Sequence, residues 1–189
     1  LGKGCVGMAP VILVTGGVRS GKSRYAEGRL KDSARVVYIA TARCLDSEME
    51  RRIQLHQQGR PAHWVTAEAT RDLDQVLERY PEGDVFFDCV GNMVTNLMLD
   101  AEPDYDGLSM ARIEEIEAEI FREFDKLTGA LRRQNRRAVL VTNEVGMSLV
   151  SPYRMGRVFA DILGRVNQRL AAEADEAVLL ACGIPMRLK

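Results

Sequence analysis

A chain of 189 residues is long enough for one α/β domain with a single substantial core. With 46% hydrophobic and 28% charged residues it has the balance of a globular protein, and a formal net charge of −1 offers no global field to a nucleic acid or a membrane surface. No apolar stretch approaches the ~20 residues that span a bilayer, and the opening LGKGCVG is too short and polar for a signal peptide.

Residues 1–10 read as a leader or a cloning remnant, with Met8 as a candidate start, and residues 11–189 as one nucleotide-binding domain. The first apolar run, residues 11–15 (VILVT), leads into Gly16, Gly17, Val18, Arg19, Ser20, Gly21, Lys22 and Ser23, and then into a helical segment, residues 22–31. Strand, Gly-x4-Gly-Lys-Ser and helix in that order form a phosphate-binding loop in its proper context. Glycine lets backbone N–H groups turn inward on phosphate oxygens, and the helix start offers them its positive end. Lys22 is expected to reach the outer phosphates and Ser23 to ligate Mg2+. A glycine-rich turn without a ligand is the bland alternative, and the flanking strand and helix argue against it. The motif specifies a nucleotide but no reaction.

A second strand, residues 36–41 (VVYIAT), runs through Ala42 and Arg43 towards a helix over residues 46–57. Asp46 or Ser47 caps that helix, and Met49, Ile53 and His56 follow at spacings of four and three along one face. Gly59 and Pro61 end it. On spacing alone His56 is a core histidine. Arg43 before the helix and Arg60 after it alter that balance, because both can clamp phosphates. A neutral imidazole is a competent nucleophile, and a phosphoramidate splits one difficult transfer into two easier ones. No second histidine or cysteine stands at ligand spacing, which disfavours a metal at His56. His63 beside Trp64 reads as structural, and residues 63–68 (HWVTAE) as a further short strand.

Residues 70–79 are helical, and the run 85–88 (VFFD) ends in Asp88, where the second carboxylate of a P-loop protein belongs. Asp88 can hold the Mg2+ shell directly or through water, although alone it would be a solvated turn residue. Residues 100–107 (DAEPDYDG), acidic and turn-prone, are the segment expected to be flexible. A long helix over residues 108–134 closes on Arg132, Arg133, Arg136 and Arg137. No aromatic residue interleaves them, so they read as a solvated helix end opposing the C-terminal dipole and not as a nucleic-acid site. The strand 138–142 (AVLVT) leads to Glu144, a general base towards a hydroxyl or merely a cap. A helix over 153–173 and a strand over 177–182 (AVLLAC) follow. The cysteines Cys5, Cys44, Cys89 and Cys182 form no CxxC pair, which points to a reducing cytoplasm, and Cys89 and Cys182 read as small buried thiols.

The strands are continuously apolar and separated by helices, so the fold class is α/β with a mainly parallel sheet flanked by helices. Each strand ends in small or polar residues, and one crevice at the carboxyl ends is expected to collect them.

Taken together, "ILVTGGVRSGKSRYAE", "YIATA", "D-x-EM-x-x-RI-x-x-H", "GRPAHWVTAE", "DCVGNMVTNL", "VLVTNEVGM", "GRVNQRLAAEADEAVLL" and "GIPMRLK" resemble the bifunctional adenosylcobinamide kinase / adenosylcobinamide-phosphate guanylyltransferase family of cobalamin biosynthesis. The resemblance runs from Val11 to Lys189. It implies a RecA-like P-loop NTPase fold and a cytoplasmic homotrimer with sites completed near subunit boundaries. It also implies two reactions: phosphorylation of adenosylcobinamide by ATP or GTP, then transfer of GMP from GTP through a histidine to the cobinamide phosphate. That nucleophile falls on His56. Residues Gly16 to Ser23 would cradle GTP phosphates, with Thr41, Ala42, Arg43, Gln57, Gln58, Gly59, Arg60, Glu68 and Asp88 completing the nucleotide contacts and Mg2+ as cofactor. Many relatives carry threonine after "DC", whereas this chain has Val90, Gly91 and Asn92; a loop there that touched the corrinoid would alter selectivity or the kinase half. A guanylyltransferase without kinase activity, and a non-catalytic RecA-like regulatory module, are the alternatives.

Overall fold

Strands rich in valine, isoleucine and leucine need cover on both faces, and the helices of this chain supply it. The structure, a computed structural model, describes residues 7–43, 61 and 63–189. The helix expected over residues 46–57, with His56 and the positions Gln57, Gln58, Gly59 and Arg60, lies outside the described residues.

Among the described residues the elements are β1 (Val11–Gly16), α1 (Lys22–Gly28), β2 (Val36–Ala40), β3 (Trp64–Glu68), α2 (Leu73–Arg79), β4 (Asp84–Asp88), α3 (Val90–Ala101), α4 (Met110–Arg133), β5 (Ala138–Val141), α5 (Arg154–Glu173), β6 (Glu176–Ala181) and β7 (Ile184–Arg187). They build one sheet in the order β3-β2-β4-β5-β1-β6-β7, parallel throughout except where β7 pairs with β6. Alternate residues of each strand feed two cores. Leu13, Val37, Ile39, Phe87 and Leu140 pack beneath α2 to α5. Ile12, Val14, Tyr38, Trp64, Phe86 and Val139 pack on the other face, with Ala26 of α1. No helix among the described residues is long and apolar enough to cross a membrane.

Several expectations are corrected. The first helix stops at Gly28, three residues before the expected Lys31. Helix α3 has no counterpart in the sequence reading, because seven of its twelve residues are buried and the apolar stripe that marks an amphipathic helix is blurred. The positions Val90, Gly91 and Asn92 are therefore its first turn and not a loop; Val90 and Gly91 are buried, and Asn92 N–H donates to Cys89 Sγ at 3.4 Å. Residues 100–107 are tied down. Tyr105 is buried and its hydroxyl donates to the Met98 carbonyl at 2.9 Å, while Arg154 donates to the carbonyls of Tyr105, Asp106 and Leu108.

The arginine run divides: Arg132 and Arg133 stand in the last turn of α4 as expected, with Arg133 exposed, but Arg136 and Arg137 are not part of a solvated helix end. Arg136, only 5% exposed, donates to the carbonyls of Tyr80, Glu82 and Gly83, and Arg137 donates to the Arg29 carbonyl and Ser33. These guanidiniums staple loops at the amino-terminal edge of the sheet. Cys182 is exposed, at φ 53° in the β6–β7 turn, so only Cys89 keeps the expected burial. The hairpin strand β7 was not expected, since a four-residue run containing Pro185 carries little strand signal.

Candidate functional site

Parallel register brings the strand ends together. Glu68 of β3 lies opposite Ala40 of β2, Ala40 opposite Asp88 of β4, and Asp88 opposite Val141 of β5. β5 borders β1, from whose end the Gly16 to Ser23 loop departs. The carboxyl edge therefore gathers these strand ends, with the loop two strand spacings, about 10 Å, from Asp88.

The loop is shaped by close approach. A Cβ at Gly16 would fall 2.5 Å from Ser20 Oγ and 2.7 Å from the Leu180 carbonyl oxygen, so only glycine fits there. Gly21 at φ 90° and Arg19 at φ 56° adopt left-handed backbone, turning the chain into α1. Ser20 N–H donates to the Gly17 carbonyl at 3.3 Å, and Gly183 N–H donates to the Ser20 carbonyl at 3.0 Å, which anchors the loop on the β6–β7 turn. Gly17, Val18 and Arg19 are exposed at the tip, and Ser23 is half-buried in the first turn of α1. The Ser20 and Thr15 hydroxyls are buried without hydrogen-bond partners, which is expected of a cradle awaiting an oxygen-rich ligand.

Lys22 Nζ donates to the Gly17 carbonyl at 3.1 Å. Burial holds its ammonium below the usual lysine range, against the opposing influence of Cys89 and Asp88 nearby. Lys22 and Asp88 are thus brought together as expected. Asp88 Oδ2 accepts a hydrogen bond from the buried Tyr38 hydroxyl. Nothing in the sequence singles out Tyr38, yet strand parity carries the signal: Tyr38 pairs with Phe86, and Asp88 is two residues beyond Phe86 on the same face. Burial pushes the Cys89 thiol up to about 12, with Asp88 adding to the shift.

Other expected residues have different surroundings. Thr41 is buried, and its polar groups are engaged within the fold. Its N–H donates to the Asp88 carbonyl, its hydroxyl donates to the Cys89 carbonyl at 2.7 Å while accepting from Cys89 N–H, and its carbonyl accepts from Asn96 Nδ2 at 2.6 Å. Thr41 clasps β2, β4 and α3, leaving Ala42, half-buried, as the next position outward. Arg43 lies bidentate on Asp100 at 2.5 and 2.8 Å and donates to Thr70 Oγ1 at 3.1 Å. Asp100 lies in the last turn of α3, so the Arg43 guanidinium is tied to that helix. Glu68 is exposed at the end of β3. Glu144 takes the capping role: its Oε1 accepts from Gly146 N–H at 2.6 Å, and its N–H donates to the Gly16 carbonyl at 3.1 Å.

Comparison with known proteins gives this geometry its context. The family described as cobinamide kinase / cobinamide phosphate guanyltransferase matches residues 12–188. The chain belongs to that family. A protein of Salmonella typhimurium named bifunctional adenosylcobalamin biosynthesis protein CobU is 48% identical over 183 residues, covering 95% of this chain and 99% of that relative. Its namesake in Escherichia coli is 47% identical over 181 residues, with 95% and 99% covered. A CobP protein of Pseudomonas aeruginosa, also named as a bifunctional adenosylcobalamin biosynthesis protein, is 35% identical over 181 residues, with 94% and 96% covered. Among solved structures, a prototypical ATPase from the type III secretion system of pathogenic bacteria superposes with a TM-score of 0.53 at 12% identity, over 92% of this chain. The chain spans about half of that ATPase, 52%, and the likeness concerns fold alone. Fold and loop together are those of a P-loop NTPase, and the family is a biosynthetic transferase family.

Proposed function

We propose that this chain is a bifunctional enzyme that phosphorylates adenosylcobinamide with a nucleoside triphosphate and then transfers GMP from GTP to the product, giving adenosylcobinamide-GDP. The observation that carries the reading is the placement of the P-loop, Lys22 and Asp88 at one edge of the sheet in a chain that belongs to this family over residues 12–188. In the first reaction the substrate hydroxyl oxygen attacks the γ-phosphorus. The bond to the β–γ bridging oxygen breaks, the nucleoside diphosphate leaves, and the hydroxyl proton passes to water. In the second, an imidazole nitrogen of His56 attacks the α-phosphorus of GTP and pyrophosphate departs. A phosphate oxygen of the acceptor then attacks the same phosphorus, the P–N bond breaks, and the imidazole is regenerated.

Lys22 would hold the outer phosphate oxygens; a bound phosphate favours its charged form, opposing the effect of burial. Backbone N–H groups of residues 16–23 would cradle the chain of phosphates. Mg2+ suits the donor set, since Ser23 and Asp88 offer hard oxygens and the loop holds unpartnered hydroxyls. No cluster of three or more acidic, histidine or cysteine side chains able to hold a metal occurs among the described residues, and Mg2+ ordinarily needs only one or two protein oxygens beside phosphates and water. When bound it would neutralise charge on the phosphate oxygens. We extend the proposal to Ala42, Arg43, Glu68 and the positions Gln57, Gln58, Gly59 and Arg60 as nucleotide contacts, to residues 11–189 as one transferase domain, and to a cytoplasmic homotrimer. Thr41 would contribute by fixing the strand ends.

The test uses GTP labelled at the α-phosphate, with Mg2+ and without corrinoid. Label retained on the denatured chain, stable to alkali, lost in acid and missing from His56→Ala is the expected result. Tight GTP binding with no covalent label would overturn the guanylyl step. Transfer from γ-labelled triphosphate to cobinamide tests the kinase half separately.

A further inference from the structure

We infer that Tyr38 is a positioning residue for Asp88: its buried phenol fixes carboxylate Oδ2, so that Oδ1 serves the metal shell of the bound nucleotide. The inference rests on the Mg2+ role proposed above for Asp88.

Tyr38 is 2% exposed in the middle of β2. Its ring stacks on Phe86 at 5.1 Å between centroids and 18° between planes, and Trp64 lies 6.3 Å away on the other strand flank. Trp64 and Phe86 are themselves 5.6 Å apart, so the three rings form one triangular cluster that packs the phenol. Its hydroxyl points along the strand direction to the carboxyl edge and donates to Asp88 Oδ2. A hydrogen bond to an ionised acceptor is stronger than a neutral pair and orients the group that receives it. Here the orientation has a competitor. Asp88 favours the charged form of Lys22, and a direct ion pair between the two is the alternative arrangement that the Tyr38 hydrogen bond disfavours. Such a pair would withdraw the lysine from phosphate and the carboxylate from metal together. In the structure Lys22 Nζ donates to the Gly17 carbonyl at 3.1 Å, while Asp88 stays with Tyr38. The groups that orient metal-directed carboxylates typically cost 10–100-fold in metal affinity when removed.

The experiment is calorimetric titration of the full chain with a non-hydrolysable GTP analogue over a series of Mg2+ concentrations, for wild type, Tyr38→Phe and Asp88→Asn. Tyr38→Phe keeps the buried ring and its stacking and removes only the hydroxyl, so the fold is retained. We expect it to raise the half-saturating Mg2+ concentration about tenfold, with the affinity for the analogue in excess chelator unchanged. Asp88→Asn should raise the half-saturating concentration at least as much. A Tyr38→Phe chain with wild-type Mg2+ dependence, beside an Asp88→Asn chain that has lost it, overturns the positioning role and leaves the metal role of Asp88 standing. Wild-type Mg2+ dependence in Asp88→Asn overturns both. Loss of Mg2+-free affinity in Tyr38→Phe would show a general structural role and also overturn the inference.

Discussion

Replacing Gly16 by alanine should damage the loop in proportion to a measurable overlap. The added Cβ would lie 2.5 Å from Ser20 Oγ and 2.7 Å from the Leu180 carbonyl oxygen. Against the ~3.3 Å at which carbon and oxygen normally meet, the neighbours must retreat by roughly 0.6–0.8 Å. Leu180 is the β6 partner of Gly16 in the sheet, so its carbonyl cannot rotate aside, and the loop must move instead. Overpacking of this kind costs about 1–3 kcal/mol. The narrower unfolded ensemble of alanine returns about 0.4–1 kcal/mol, leaving a net loss of about 1.3 kcal/mol at mid-range and at most about 2.6 kcal/mol. For a domain of this size the mid-range loss lowers Tm by about 3–5 °C. The functional loss should be larger, because misplacement approaching 1 Å costs on the order of 100-fold in rate. Gly17→Ala is the control for stability: its Cβ would meet nothing within 4 Å, and Tm should hold or rise slightly. Thermal unfolding and initial rates of guanylylation measure both effects. A Gly16→Ala chain with wild-type Tm and rate would refute the reasoning.

Arg136→Ala should cost about 3 kcal/mol in denaturant unfolding, since three backbone carbonyls between Tyr80 and Gly83 lose a charged donor; a loss under about 0.5 kcal/mol would return this residue to the class of solvated surface arginines. Iodoacetamide at neutral pH should alkylate the exposed Cys182 and spare Cys89 in the native chain, as read by peptide mass mapping. The Cys89 thiol has its folded pKa raised from 9.0 to about 12, so the stability it contributes is intact below pH 9 and lost as pH rises towards 12. Alkaline unfolding should therefore be less steep in Cys89→Ser, and an identical slope in both chains would count against the shift. His56→Ala should abolish the covalent guanylyl label and leave GTP binding within about threefold, that is, within about 0.65 kcal/mol.

Strands β1, β2, β4, β5 and β6 were legible because each holds a short apolar run bounded by turns, and that pattern survives without knowledge of neighbours. Helix α3 was not legible, because burial of Val90, Gly91, Met93, Val94, Asn96, Leu97 and Met98 spreads apolar and small residues around the helix and blurs its stripe. The segment 100–107 looked flexible because its composition is acidic and turn-prone; the burial of Tyr105 and the Arg154 contacts that pin it depend on packing, and Arg154 comes from an element distant in sequence. Arg136 misled in the same way. A guanidinium near a helix end is solvated or stapled according to which carbonyls packing delivers to it, here those between Tyr80 and Gly83.

The phosphate loop is determined by sequence alone, since it needs only consecutive residues whose backbone freedom and side chains act within a few ångströms of one another. Asp88 is determined nearly as well, because a carboxylate that ends a buried strand must emerge at the edge where ligands bind. What tertiary structure alone decided is the company these residues keep. Placing Asp88 beside Lys22 requires the order β4-β5-β1, and placing Tyr38 beneath Asp88 requires the parallel register of β2 on β4. Strand order and register are set by packing among segments tens of residues apart, and local propensity does not act over such distances.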